Sequence, residues 1–170
     1  MDLKDTVRSI PDYPEKGILF RDITTLLKDK DAFNSLIEQI ARSLEGKAVD
    51  AVVGPEARGF IMGAPISFAI HAGFIPARKP GKLPCETESM EYALEYGTDK
   101  LEIHRDAIKK GMRVAVVDDL LATGGTAKAV CKLIEKMGGE VVAVRFAIEL
   151  SELDGRETLC GYDVDSVIKY

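Results

Sequence analysis

Two adjacent carboxylates, Asp118 and Asp119, stand between an apolar run, Val114 to Val117, and a turn of small residues, Ala122-Thr123-Gly124-Gly125-Thr126. The apolar run reads as a buried strand, and the residues after the turn read as a helix. Glycines let the backbone approach an anion closely, and the amides that open a helix point at it, so the turn is a candidate phosphate cradle. An ionised carboxylate can only accept hydrogen bonds. Beside an anion site the two aspartates therefore suit the hydroxyls of a sugar. The segment describes a ribose phosphate, with its diol on Asp118 and Asp119 and its phosphate in the turn. The competing interpretation is an ordinary strand-to-helix turn with surface aspartates.

The elements that must hold this turn follow from periodicity. Asp31 to Leu44 predicts a helix, with Phe33, Leu36, Ile37, Ile40 and Leu44 on one face and Gly46 after it. Ala48 to Val53 predicts a short strand that ends in Gly54-Pro55-Glu56-Ala57-Arg58-Gly59. Phe60 to His71 predicts a helix, in whose first turns Pro65 must lie unless it kinks the helix. Strands are expected at Phe74 to Ala77, Leu101 to Ile103, Val114 to Val117, Val141 to Ile148 and Val164 to Ile168. Val130, Leu133, Ile134 and Met137 form the inner stripe of a further helix stopped by Gly138-Gly139. This alternation specifies an α/β class with a mostly parallel central sheet flanked by helices. The segment 78–98 shows no steady period and carries Pro80, Gly81, Pro84 and Gly97, so it is expected as a long loop of the kind that forms lids.

In open α/β sheets ligands sit beyond the carboxyl ends of the strands. Three segments meet that condition: Gly54 to Gly59, the residues after Ala77, and Asp118 to Thr126. The first offers Arg58 at a turn of small residues, and the second offers Arg78, Lys79 and Lys82 within five positions. Together they suit a multiply charged anion; taken singly, Lys79 and Lys82 read equally well as surface charges.

At 170 residues and 46% hydrophobic, the chain suits one domain that buries about 70% of its unfolded surface. The net charge of −5, with acids and bases interspersed, argues against nucleic-acid or anionic-membrane partners. No apolar run is long enough for a membrane span, and the amino terminus is not a signal peptide. Cys85, Cys131 and Cys160 are scattered without metal spacing, which points to a reduced, cytoplasmic setting, and the two histidines make a histidine metal site improbable.

The strand, acid pair and Thr-Gly-Gly-Thr in this order resemble the signature of the type I phosphoribosyltransferases. Upstream and downstream segments extend the resemblance over nearly the whole chain, toward the adenine-using branch of that family. They are Gly17-Ile-Leu-Phe20-Arg21-Asp22-Ile23, Arg58-Gly59-Phe60, Arg78-Lys79-Pro-Gly81-Lys82-Leu-Pro84, Leu94-Glu95-Tyr96-Gly97 and Glu149-Leu150 near Leu153-Asp-Gly155-Arg156. The resemblance implies a single domain over 1–170, with an N-terminal flap (1–30) contributing to the base pocket and a mobile lid loop (78–98). It implies transfer of the phosphoribosyl group of phosphoribosyl pyrophosphate to adenine, giving AMP and pyrophosphate in purine salvage. Two alternatives stay open: a 6-oxopurine as the acceptor, or a sensor of the donor without catalysis.

The resemblance also assigns residues. Asp118 and Asp119 bind the ribose hydroxyls, and Ala122, Thr123, Gly124, Gly125 and Thr126 the 5′-phosphate. Glu56, Ala57, Arg58, Arg78, Lys79 and Lys82 serve the pyrophosphate, and a strained or cis Glu56-Ala57 peptide fits the family. Mg²⁺ is expected to be held mainly by the substrate's own oxygens, with no protein metal site. Leu19, Phe20 and Arg21 form the adenine pocket, Phe20 stacking on the base and Leu150 covering its other face. Glu95 is the proton-handling residue. Tyr96 is a donor contact; with Tyr92 it closes the lid or packs beneath it. Cys85 departs from the small residues usual after Leu83-Pro84, and a homodimer is expected.

Overall fold

The runs Val52-Val53, Val114 to Val117 and Ala143 to Ala147 are buried throughout, which requires a sheet covered on both faces. The computed structural model, which describes residues 1–94 and 96–170, contains that sheet. A 3-10 turn at Leu3–Thr6 leads into a hairpin of β1 (Arg8–Pro11) and β2 (Leu19–Asp22), then the short α1 (Thr24–Leu27) and α2 (Lys30–Ser43). β3 (Ala51–Pro55) feeds α3 (Arg58–Ala69) and β4 (Gly73–Ala77). A second hairpin, β5 (Thr87–Ala93) and β6 (Thr98–His104), precedes β7 (Arg113–Leu121), α4 (Gly125–Lys136) and β8 (Glu140–Glu149). A 3-10 turn at Ser151–Leu153, the one-turn α5 (Gly155–Thr158) and β9 (Val164–Lys169) follow.

Five strands lie parallel in the order β4-β3-β7-β8-β9. The connection from β3 returns to β4 on one side, whereas that from β7 returns to β8 on the other. The chain therefore leaves the two neighbouring strands in opposite directions, which opens a crevice beyond their carboxyl ends. Alternate residues feed two cores. Val52, Ala115 and Val117 join Leu36, Ile40, Met62 and Ile66 from α2 and α3. Val53, Val114 and Val116 join Val130, Leu133 and Ile134 from α4, with Leu101 and Ile103 from β6. At the start of α2 the Asp29 carboxylate accepts the Asp31 and Ala32 amides at 3.0 Å, a cap contributing about 1 kcal/mol.

Two expectations change. The segment 78–98 is not one loop. Met90 and Tyr92 turn inward on β5 while Glu91 faces out, and Leu101 and Ile103 are buried on β6; this two-residue period was masked by the prolines and glycines around it. The Leu94 amide donates to the Gly97 carbonyl at 2.9 Å between the paired strands. Secondly, the central strand runs four residues past Val117, because β8 pairs with it as far as Leu121 opposite Glu149. Asp118 and Asp119 thus belong to the strand, not to the turn. Pro65 lies inside α3, which continues through it to Ala69.

Candidate active site

A cavity of about 290 Å³ opens at the crevice between β3 and β7. Its walls include Glu56, Ala57, Arg58, Lys79, Asp118, Asp119 and the whole turn Ala122 to Thr126, so most of the expected donor-binding residues are brought together. A larger groove of about 1050 Å³ between α2 and α3, lined by apolar side chains together with Lys30, Glu38, Arg42 and Glu45, holds none of these residues.

Two helices start at the cavity. α3 begins at Arg58 and α4 at Gly125, each 12 residues long, and the residue ahead of each, Ala57 and Gly124, makes no side-chain cap. Their first amides are left for a ligand, and the partial positive charge of each helix end favours an anion. Gly124 adopts φ +85°, and a Cβ there would meet the Gly155 carbonyl oxygen at 2.8 Å. Both the dihedral and the space require glycine. Gly59 clears Asp118 in the same way, since a Cβ on it would lie 3.0 Å from Oδ1. The Glu56-Ala57 peptide is cis, in keeping with the resemblance.

The charges of the site are matched internally. Arg58 Nε donates to Asp119 Oδ2, and Lys79 Nζ to Asp99 Oδ2, which also accepts from the Tyr92 hydroxyl at 3.2 Å. Glu56 accepts the Lys79 amide at 2.6 Å and Lys82 Nζ at 3.4 Å, with Arg78 Nε 3.5 Å away. Arg78 Nε is, among the described residues, the buried side-chain nitrogen or oxygen without a hydrogen-bond partner. Burial pushes the Glu56 carboxyl up, but the Lys79 amide and the Lys82 and Arg78 charges together hold it below its ordinary range. Asp118 behaves oppositely. Burial, reinforced by the neighbouring Asp119 charge, raises its pKa well above the ordinary carboxylate range. The ion pair with Asp119 keeps the Arg58 guanidinium firmly protonated. An anion entering here meets cations already paired, and its oxygens would substitute for carboxylates already present.

The remaining expected residues stand outside this cavity. Leu19, Phe20 and Arg21 lie on β2; Phe20 meets Tyr13 edge-on with ring centroids 5.2 Å apart, and the Arg21 guanidinium sits 3.7 Å over the Tyr170 ring. Leu150 follows β8, where its amide donates to the Leu121 carbonyl at 2.9 Å. Tyr96 is 89% exposed and does not line the cavity, and Glu95 lies outside the described residues. Sequence reasoning did not assign Asp99, Leu101, Leu120, Leu121 and Phe146 to the site, nor Tyr13 and Tyr170 beside the β2 residues. Leu120 and Leu121 follow directly from their place between Asp119 and Ala122; nothing local marks the others, which arrive through sheet pairing or a contact with another segment. Among the described residues there is no group of three or more acids, histidines or cysteines suited to a metal ion.

Residues 22–167 match the model of the phosphoribosyl transferase domain family. The chain is 61% identical, over the full length of both, to an adenine phosphoribosyltransferase of Alkaliphilus metalliredigens. The crystal structure of adenine phosphoribosyltransferase from Thermoanaerobacter pseudethanolicus superposes with a TM-score of 0.95 at 57% identity, covering 99% of this chain and 98% of that one. The Saccharomyces cerevisiae adenine phosphoribosyltransferase, complexed with an iminoaltritol bisphosphate and adenine, superposes at 0.91 with 36% identity, covering 97% and 96%.

Proposed function

This chain belongs to the adenine phosphoribosyltransferases of the phosphoribosyl transferase family, and on that premise we propose how its residues divide the joining of adenine to the phosphoribosyl group. The reaction consumes adenine and phosphoribosyl pyrophosphate and gives AMP and pyrophosphate, a step of purine salvage. The observation that carries the reading is the pair of uncapped helix starts facing one cavity with two aspartates beside them. That is a site for two anions and a diol.

Ala122, Thr123, Gly124, Gly125 and Thr126 take the 5′-phosphate at the start of α4. Glu56, Ala57, Arg58, Arg78, Lys79 and Lys82 take the pyrophosphate at the start of α3, where Arg58 exchanges Asp119 for a phosphate oxygen and Arg78 Nε gains a partner. Asp118 and Asp119 hold the ribose hydroxyls. Pyrophosphate departs from the anomeric carbon, so positive charge develops on the ribose ring. The two carboxylates favour that charge electrostatically, while the cationic groups stabilise the departing anion. Leu19 and Arg21 position adenine, Phe20 stacks on it and Leu150 covers it, so that N9 is aimed at the anomeric carbon. The β1–β2 hairpin acts as the hood of this base pocket. Tyr96 and the β5–β6 hairpin cover the donor and exclude water, which would otherwise hydrolyse it.

Mg²⁺ would be held mainly by the substrate's own oxygens, since it binds through one or two carboxylates at most plus phosphate oxygens. No group of three or more acids, histidines or cysteines among the described residues is suited to a metal ion. When bound, Mg²⁺ would supply positive charge against the pyrophosphate. Glu95 moves the proton at N7 or N9 of the base. Glu95→Gln is therefore expected to lower kcat by about 10²-fold or more with KM for adenine nearly unchanged; an unaltered kcat would make Glu95 a cover residue only.

The partners are small molecules, and the net charge of −5 supports the absence of nucleic acid. No helix of the described residues is long and apolar enough to cross a membrane. Three unpaired cysteines support a cytoplasmic setting. A homodimer is supported by α3, which carries no charge after Arg58 and opens Ile61, Ala64 and an 89% exposed Phe68 along one stripe. A helix apolar all round needs burial; sedimentation as a monomer would rule the dimer out.

The test is pyrophosphate release from the donor with Mg²⁺ and adenine, hypoxanthine, guanine, xanthine or no base. Release with adenine alone, matched by AMP, supports the reading. Release with a 6-oxopurine would overturn the base pocket, and donor binding without release would point to a sensor.

A further inference from the structure

Glu149 and Arg156 do not line the donor cavity, yet they form a forked ion pair in which the acid is buried. Glu149, 5% exposed at the end of β8, accepts Arg156 Nε at 2.7 Å on one oxygen and a terminal guanidinium nitrogen at 2.8 Å on the other. The Ser166 hydroxyl of β9 donates to the second oxygen at 2.5 Å, and the remaining terminal nitrogen of Arg156 donates to the Val164 carbonyl at 2.8 Å. The Arg156 hydrogen bonds hold the Glu149 carboxyl below its ordinary range despite its burial. A forked pair of this kind fixes orientation as well as charge.

What it fixes is α5, the single turn Gly155–Thr158. That turn is pressed against the candidate phosphate cradle. A Cβ on Gly155 would lie 2.5 Å from the Ala122 carbonyl oxygen and 2.6 Å from Leu121 Cδ1, and one on Gly124 would lie 2.8 Å from the Gly155 carbonyl oxygen and 3.1 Å from Thr158 Cβ. Four residues cannot hold a helical turn in place by themselves, because nucleating a helix is unfavourable. The anchor is the side chain of Arg156, which reaches back from α5 to the ends of β8 and β9.

We infer that Arg156, with Glu149 and Ser166, is a positioning device for the 5′-phosphate: it clamps α5 behind Ala122 to Gly124 and so keeps the cradle amides aimed at the anion. The inference rests on the reading that this turn takes the phosphate. It acts on one end of the donor only. The pyrophosphate end belongs to α3, and the base to β2 and Leu150.

The test compares wild type with Arg156→Met, Arg156→Lys and Ser166→Ala. It measures KM for both substrates, inhibition constants for ribose 5-phosphate, ribose and pyrophosphate, and Tm. Arg156→Met is expected to weaken the donor and ribose 5-phosphate about tenfold or more, with pyrophosphate and adenine changed less than twofold. Arg156→Lys should recover part of the loss, since it restores the charge without the fork. Should Arg156→Met fail to fold, Ser166→Ala is expected to shift ribose 5-phosphate alone, by about two- to fivefold, one hydrogen bond to a charged group being removed. A fall in Tm with all constants unmoved, or equal weakening of pyrophosphate and adenine, would overturn the clamp. Wild type binding ribose as tightly as ribose 5-phosphate would instead overturn the phosphate reading beneath it.

Discussion

Asp118→Asn is expected to lower kcat/KM for the donor by about 10²–10³-fold and to raise Tm by about 2–4 °C. The two effects share one cause. Asp118 is enclosed and stands beside Asp119, so its ionised form is held against both desolvation and like charge. That form accepts most strongly from a ribose hydroxyl and is the one whose charge favours a cationic ring. Asparagine keeps the shape, removes the charge and relieves the cost. Because the folded chain holds the Asp118 proton to higher pH than the unfolded chain does, this group favours the fold at low pH and disfavours it as pH rises through its raised pKa. The Tm advantage of Asp118→Asn should therefore be largest above that raised pKa and shrink as pH falls through it. The same proton should impose an acid limb on the wild-type donor kcat/KM, above the ordinary carboxylate range, that the variant lacks. Thermal melts and donor titrations across the pH range decide it; near-normal activity, or a lower Tm at alkaline pH, would remove Asp118 from this role.

Gly124→Ala tests the cradle from the backbone side. The residue has φ +85°, and an added methyl would collide with the Gly155 carbonyl at 2.8 Å and crowd Thr158 Cβ at 3.1 Å. Left-handed strain and a backbone clash together should cost about 2–4 kcal/mol, with a donor KM raised at least tenfold as the turn shifts. Gly125→Ala is the control. It has nothing within 4 Å of its would-be Cβ and no positive φ, so its stability should match or slightly exceed wild type. Equal unfolding midpoints for Gly124→Ala and wild type in urea would mean that α5 yields to the methyl.

The parts of the site legible in the sequence are those carried by contiguous residues. The turn Ala122 to Thr126, the acid pair and the Arg58 turn each sit at the junction of an apolar run and a helix, where local composition reports local conformation. The strand within 78–98 is not legible in the sequence because its two-residue period is short and flanked by Pro80, Gly81 and Pro84, so the pairing of β5 with β6 only becomes evident from the whole hairpin. The extent of β7 was underestimated for a related reason. A polar Asp118-Asp119 step ends an apolar pattern, but the strand continues because β8 supplies its hydrogen bonds.

By itself the sequence determined the α/β class, the phosphate turn with its two aspartates and the family the chain resembles, because glycine tolerance, carboxylate chemistry and hydrophobic period are properties of neighbouring residues. Tertiary structure alone decided which charges meet. Arg58 and Asp119 are 61 positions apart, and Arg145 bonds to Ser43 across 102. Parallel strands are joined by crossovers, so the residues at their carboxyl ends become neighbours through the sheet and not through the chain. The pairing of every cavity cation, the raised pKa of Asp118 and the seating of α5 behind the cradle all follow from that arrangement.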